Sequence, residues 1–478
     1  MEYEPCIGLE VHAELATDSK LFCGCSTRFG AEPNAHTCPV CIGMPGVLPV
    51  MNMKAFEYVL KTALAFHCEV PKRLNFDRKN YYYPDLPKNY QISQNYFNVG
   101  SNGYVDILVG EAVKRIGITN VHIEEDAGAN KHSEDPRENF SLVDLNRAGV
   151  PLVEIVSAPD MHTAEEVDSY MRTLRNSLLY LGVSECKMQE GDLRFEVSIS
   201  VREKGAPKLG SRVEMKNLNS ITAVVKVVHY EIERQTECLK RGEKIPQETR
   251  LWDEAAGKTA RMRAKEQSHD YRYFPEPDLV PVLVTADWLE RAKAGVPELP
   301  VPRRLRFISE YKLSPYDAGV LTDDRALADY FEAAVKAGAS PKAAANWVTN
   351  EVARELNTRG IPVSEWRVSP QMLAGLVRAV ESGKVSTAIG REVLTQMADT
   401  GKTADAIIAE KGLAQISDTG ALEALVDKVL AANPNAVADF KSGKKESRGF
   451  LIGQVMRQTK GKANAKVVAE VLQKKLGG

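Results

Sequence analysis

The chain has 478 residues, 44% apolar and 26% charged, with a formal net charge of −2. That length exceeds one ordinary core and implies two or three domains, the composition is that of a water-soluble globular protein, and the near-zero charge excludes a chain that coats nucleic acid by charge alone. No apolar run approaches the roughly 18 residues of a membrane span, and Met1-Glu-Tyr-Glu-Pro5 lacks the layout of a secretion signal, so a cytoplasmic protein is expected.

The N-terminal part, to about residue 290, reads as mixed α and β. Ile7, Leu9, Val11 and Ala13 alternate with Gly8, Glu10, His12 and Glu14, the period of a half-buried strand. Glu10 and His12 therefore share one face, roughly 7 Å apart. Next come Cys23-Gly-Cys25 and Cys38-Pro-Val-Cys41. In a cytosolic protein such clustering points to metal before disulfide, and four thiolates close a tetrahedral structural zinc site with no open position. The Cys23-x-Cys25 pair is one residue tighter than usual, His36 is a substitute ligand, and reduced unligated cysteines remain the alternative.

Residues 77–91 are too rich in proline and asparagine for a helix. Arg78, Lys79 and Lys88 suit phosphate, and the tyrosines suit stacking on a base or sugar. A packed surface loop has the same composition, and residues 269–278 carry the same ambiguity. His122, Glu124 and Asp126 alternate with Val121, Ile123 and Glu125, so Glu124 and Glu125 point to opposite sides of an extended segment. Glu154 interrupts the apolar run 150–156, where a carboxylate is costly unless paired or metal-bound.

Thr163 and Glu166 form a capping box before the stripe Val167, Tyr170, Met171, Leu174, Leu178 and Leu181, and Gly182 ends that helix. Asp192, Arg194 and Glu196 oppose Leu193, Phe195 and Val197, while Glu214 and Lys216 oppose Val213 and Met215. A second helix is expected over about 219–241. One-faced strands with helices predict an α+β domain, an antiparallel sheet packed on helices.

Residues 294–302 read as a proline-rich linker. Beyond them nearly everything reads as helix, with Ser314-Pro315, Ser340-Pro341 and Ser369-Pro370 each placing an N-cap serine before a first-turn proline. The expected domains are 1–292 with the metal loop 23–41, an all-α domain 293–405, and a helical tail domain 406–478. Residues 441–478 hold ten Lys/Arg against two Asp/Glu, which suits either a polyanion or a solvated helical face.

Carboxylates gathered on one face repel each other. Mg²⁺ resolves the repulsion and keeps coordination positions for phosphate oxygens, the requirement of phosphoryl transfer from ATP. Strand alternation alone fits an ordinary solvated face equally. No P-loop, Rossmann glycine fingerprint or His-Glu-x-x-His is present; Gly401-Lys402-Thr403 has Gln396 where a P-loop needs its first glycine. ATP would therefore lie on the sheet.

Gly8-Leu-Glu-Val-His12, residues 77–94, His122-Ile-Glu-Glu-Asp-Ala-Gly128, Leu145-Asn-Arg-Ala-Gly-Val-Pro151, Gln189-Glu-Gly-Asp-Leu-Arg194, Arg212-Val-Glu-Met-Lys-Asn-Leu-Asn219 and residues 269–278 together resemble the B subunit of the tRNA-dependent amidotransferases (the aspartyl/glutamyl-tRNA amidotransferase, or GatB, family), in order and over essentially the whole chain. The resemblance implies a catalytic domain of the glutamine synthetase/guanido kinase type, followed by helical domains whose tail contacts tRNA. It implies an ATP-dependent carbon–nitrogen ligase that phosphorylates the side-chain carboxylate of glutamate or aspartate misacylated to tRNA(Gln) or tRNA(Asn). Ammonia would come from a separate amidase subunit, with a third, small subunit completing a heterotrimer. The family pattern makes Glu10, His12, Glu125 and Glu154 magnesium ligands; the zinc cysteines are not universal in the family, so the presence of Cys23, Cys25, Cys38 and Cys41 favours zinc without making it essential to the chemistry. The same pattern adds Glu124, Lys79, Asp192, Glu214 and Lys216 to the catalytic set, and assigns Lys79, Glu190, Asp192, Arg194, Lys216 and Asn217 to the nucleotide. A non-catalytic, zinc-containing tRNA-binding scaffold is the competing reading, and a free-standing ligase of small acids the third.

Overall fold

The computed structural model describes residues 2–133, 137, 140–216, 218–264, 270–415, 419–441, 445–459, 463 and 465–476. They fall into two compact units, Met1–Pro302 and Arg303–Gly478.

The first unit is built on an eight-stranded sheet. Its strands are β1 (Tyr3–Glu14), β4 (Gly100–Val109), β5 (Ala112–Glu125), β6 (Pro151–Ser157), β7 (Leu193–Glu203), β8 (Val213–Lys216), β9 (Glu248–Asp253) and β10 (Lys258–Ala264). The spatial order is β10-β9-β8-β7-β1-β6-β5-β4. A smaller sheet joins β2 (Asp77–Asn80) to β3 (Tyr90–Ser93) and to β11 (Phe274–Pro275).

The expected alternation decides which face is dry. Ile7, Leu9, Val11, Phe195, Val197, Ile199, Val213 and Met215 are all at most 3% exposed and share one apolar core. Helices α1 (Met53–Ala65), α2 (Ala164–Leu181) and α3 (Ile221–Lys240) supply its other half through Phe56, Tyr170 and Val224. The opposite face keeps the polar residues. A bulge between Ile118 and Asn120 shifts the phase of β5 by one residue, so Ile116 and Ile118 before it and Val121 and Ile123 after it all reach the core.

Thr163 caps α2 by accepting from the Glu166 amide, and Gly182 closes it in the left-handed conformation with φ 65°. The sheet is mixed rather than wholly antiparallel: β8 and β9 run parallel. The cause is α3, which lies between them in the chain and returns it to the same end of the sheet, as a strand–helix–strand crossover must. A short helix, Ala286–Ala294, brings Trp288 within 4.9 Å of Phe56, centroid to centroid, and Val296 and Leu299 pack against the same core, so the first unit runs past residue 292 to Pro302.

The second unit is helical among its described residues. The expected linker 294–302 is a linker only in part, because Pro300 already opens the helix Pro300–Tyr311; proline fits a first turn, where its missing N–H has no partner to lose. Ser314 and Ser369 cap the helices that follow them, whereas Ser340 makes no capping bond and donates to Glu381 instead. One apolar cluster gathers around Phe331, Trp347, Val377 and Leu394, and a smaller one around Leu422, Val426, Leu451 and Val468. Among the described residues no helix is long and apolar enough to cross a membrane.

Candidate functional site

Strand register builds the site. On the polar face His12 of β1 lies directly opposite Glu154 of β6, and Glu154 lies opposite His122 of β5. The Glu154 carboxylate approaches both rings, at 3.2 Å from His12 Nε2 and 3.1 Å from His122 Nε2. Two residues further along β5, Glu124 reaches back to 3.2 Å from His122 Nε2 and 3.9 Å from His12 Nε2. His122 Nδ1 faces Asn120 Oδ1 at 2.9 Å, which makes Nδ1 the donor and turns Nε2 toward the two carboxylates. Ser93 and Gln91, from the small sheet above, donate to Glu124 at 2.7 and 3.0 Å.

The electrostatics follow from this packing. Burial disfavours a charged His122, but Glu154 and Glu124 outweigh it and lift its pKa to about 10. His12 is raised as well: burial opposes its charge and Glu154 overrides that. Burial alone would raise Glu154, yet the two histidines hold it well below the usual carboxylate range. Ligand atoms of His12, Glu124 and Glu154 lie within 4.8 Å of one another. Two carboxylates and one imidazole are a donor set that fits a small hard cation with positions left for water and phosphate.

Beside this acidic row the face is cationic. Lys79 of β2 is cradled between Tyr81 and Tyr271, its Nζ 5.8 and 5.2 Å from their ring centroids. Burial works against its charge, and Glu124 more than compensates, so its pKa is raised. Lys216 bonds both oxygens of Glu196 at 3.0–3.1 Å and meets Glu214 at 3.2 Å. Arg194 holds Asp126 at 2.5 Å, and Arg147 supports the same carboxylate at 3.4 Å. His12, Lys79, Glu124, Arg194 and Lys216 open into one cleft of about 1000 Å³, walled by Tyr81 and Tyr271.

The structure thus brings together His12, Glu154, Glu124, Lys79, Arg194, Lys216 and Glu214. Glu10 sits on the same face in register with Glu196, its carboxyl raised by burial and then by Glu154 and Glu196. Glu125, expected among the magnesium ligands, points the other way: Lys88 pairs with it and the Ile92 amide donates to it at 2.8 Å. Lys88 is thereby occupied, and Arg78, offered for phosphate, is bidentate to Glu276 at 2.6 and 2.9 Å. Glu190 pairs with Lys187 at 3.6 Å, and neither it nor Asp192 borders the cleft. Asn217 and His269 lie outside the described residues. Sequence reasoning left out His122 and Gln91; His122 shares the alternating face of Glu124, which was the available signal, whereas Gln91 reaches the site only through the packing of a second sheet.

A second cluster lies apart. The sulfurs of Cys23, Cys25, Cys38 and Cys41 lie within 4.8 Å of one another, and all four thiols are free. Cys38 and Cys41 are 3.9 Å apart, close to the edge of about 3.8 Å that a tetrahedron of 2.3 Å Zn–S bonds requires, so the set fits zinc. Lys20, fully buried, donates to Cys41 Sγ at 3.6 Å, to His36 O at 2.7 Å and to Leu145 O at 3.2 Å. It ties the cysteine loop to the loop that carries Arg147.

Comparison with known proteins gives concordant matches. The profile of the GatB/GatE catalytic domain matches residues 5–290, and that of the GatB domain matches residues 329–476. The B subunit of the aspartyl/glutamyl-tRNA(Asn/Gln) amidotransferase of Carboxydothermus hydrogenoformans is 52% identical over 99% of both chains. Those of Thermoanaerobacter sp. strain X514 and Moorella thermoacetica are 51% and 52% identical over the full length of both chains.

Proposed function

Because the chain belongs to the B-subunit (GatB) family of aspartyl/glutamyl-tRNA(Asn/Gln) amidotransferases, we propose that its polar sheet face activates the side-chain carboxylate of glutamate or aspartate misacylated to tRNA(Gln) or tRNA(Asn). The observation that carries the reading is the His12–Glu154–His122 row with Glu124, set beside Lys79, Arg194 and Lys216 in one cleft.

A carboxylate is a poor acyl donor. Transfer of the γ-phosphoryl group of ATP to one carboxylate oxygen releases ADP and makes an acyl phosphate. Ammonia then attacks the carbonyl carbon, the C–O bond to phosphate breaks, and inorganic phosphate and a proton leave the amide. His12, Glu124 and Glu154 would hold Mg²⁺, which when bound offsets charge on the phosphate oxygens. Lys79 and Lys216 would meet the anions that must approach each other, each already placed on the cleft wall by aromatic or carboxylate neighbours. Arg194 stays aligned through Asp126. The tyrosine wall would exclude water from the acyl phosphate.

Cys23, Cys25, Cys38 and Cys41 would hold a structural zinc that fixes their loop, outside the chemistry. Ammonia would be supplied by the amidase subunit, with the small third subunit completing the assembly, and the basic tail 441–478 would touch tRNA. The test is ATP consumption by the complete assembly. It should require misacylated tRNA and yield amidated aminoacyl-tRNA; ATP consumption indifferent to the charging state of the tRNA would reject the reading.

A further inference from the structure

The cysteine loop is sewn to residues 143–149, the loop that carries Arg147. The Asn34 amide donates to Asp144 Oδ1 at 3.0 Å and its Nδ2 to Val143 O at 3.1 Å, while the Leu145 amide donates to Asn34 Oδ1 at 2.8 Å. The His36 amide donates to Asn146 Oδ1 at 2.8 Å. Asn34 and His36 lie between Cys25 and Cys38, so the thiolates pin both ends of the sewn stretch. The Asn34 bonds are exposed, where water competes for them. Lys20 is different. Its side chain is fully buried, and its three N–H donors meet three acceptors, Cys41 Sγ, His36 O and Leu145 O. Of these only the sulfur can carry charge. A buried ammonium needs a counter-charge, and four thiolates around one Zn²⁺ keep a net negative one.

On its far side the same loop clamps the cleft. Arg147 donates to Ala127 O at 3.0 Å and to Gly128 O at 2.8 Å, and the Gly149 amide donates to Asp126 O at 2.8 Å. Asp126 in turn bonds Arg194 Nη2 at 2.5 Å, and Arg194 Nε is buried with no partner among the described residues, so that bond sets the guanidinium. The joint has little slack: a Cβ built on Gly149, at φ 87°, would lie 3.6 Å from both Cys41 Cβ and Lys20 Cδ. Resting on the proposed function, we propose that Lys20 is a positioning residue: it draws on the charge of the occupied cysteine centre to hold the 143–149 loop, and through Arg147 and Asp126 it places Arg194 in the cleft. The zinc then touches no reacting group, yet its loss reaches the cleft along named bonds.

The experiment follows hydrogen exchange by mass spectrometry in the complete assembly, loaded with zinc and after chelation, for the wild type and Lys20→Met. In the wild type, chelation should speed exchange of the peptides covering 126–128 and 143–149 about tenfold and leave α2 protected. In Lys20→Met those peptides should exchange fast with zinc still bound, and chelation should add little, because both changes cut one link. Loaded with Co²⁺, the variant should move its sulfur-to-metal charge-transfer band to longer wavelength, since Cys41 loses an N–H donor, and it should hold zinc about tenfold more weakly against a chelator. Turnover with ammonia as nitrogen donor should fall about tenfold in kcat on either change and no further on both. Wild-type exchange over 143–149 that ignores chelation would overturn the proposal. So would losses that add in chelated Lys20→Met, or a cobalt band that does not move. If Lys20→Met exchanges fast throughout, α2 included, it has lost its fold, and the chelated wild type decides alone. Exchange and the cobalt band need no turnover: a wild type that performs no ATP-dependent amidation defeats the functional reading, while these still decide the coupling.

Discussion

Replacing Glu154 with glutamine removes one charge and almost no volume from the centre of the polar face. The wild-type carboxylate lies 3.2 Å from His12 Nε2 and 3.1 Å from His122 Nε2. At an effective dielectric constant of about 20, a pair of unit charges at that separation interacts by about 5 kcal/mol, equivalent to nearly four pH units. With about half of this recovered by relaxation and water entry, the His122 midpoint should fall from about 10 by about two pH units. The sign for stability follows. His122 titrates higher in the folded chain than at its ordinary 6.5, so its contribution is complete below pH 6.5 and is lost as pH rises through about 10. In Glu154→Gln that contribution shrinks and the loss ends at lower pH. Histidine-selective NMR titration of the metal-free chain reads the midpoint, and Mn²⁺ titration followed by electron paramagnetic resonance reads the cation. Mn²⁺ affinity should weaken at least about tenfold with one carboxylate gone. An unchanged His122 midpoint together with wild-type Mn²⁺ binding would refute the row as the seat of the cation.

Two further outcomes concern other parts of the first unit. Cys38→Ser should lose zinc to a chelator under conditions where the wild type retains it, and the unfolding midpoint should drop by about 2–4 °C for each kcal/mol lost; full retention would count against a four-thiolate centre. Glu14 is lifted to about 8, first by burial and then by Asp126. A carboxyl raised on folding binds its proton more tightly in the native state, so the chain should lose stability as pH rises from about 4.5 through 8. Glu14→Gln should flatten that decline in a thermal-melt pH series, and an identical slope in the variant would show that Glu14 is not its source.

Much of this architecture is legible in the chain because a strand with one wet face writes its period into the sequence. Alternation across residues 7–13 put Glu10 and His12 on one side, and the capping pair Thr163/Glu166 with Gly182 bounded α2 closely. What alternation cannot reveal is which strands adjoin. His12, Glu154 and His122 become neighbours only through two antiparallel registers between segments far apart in the chain. The same limit separates Glu124 from Glu125: alternation says they diverge, but only the packing of β3 shows that Glu125 meets Lys88 and the Ile92 amide while Glu124 meets the histidines. Arg78 illustrates the converse. Its composition suited phosphate, yet Glu276, almost two hundred positions away in the chain, takes it as a structural partner. The parallel β8–β9 pair was hidden because the strand pattern of residues 248–253 says nothing about direction, which α3 imposes.

Phosphorylation of the side-chain carboxylate is the step on which every role given to the cleft depends. The direct measurement charges tRNA with glutamate carrying ¹⁸O in its side-chain carboxylate, supplies ATP and an ammonia source to the complete assembly, and analyses the inorganic phosphate by mass spectrometry. Transfer through an acyl phosphate predicts one ¹⁸O atom delivered to each phosphate formed with an amide. Amide formation accompanied by phosphate free of ¹⁸O would contradict it.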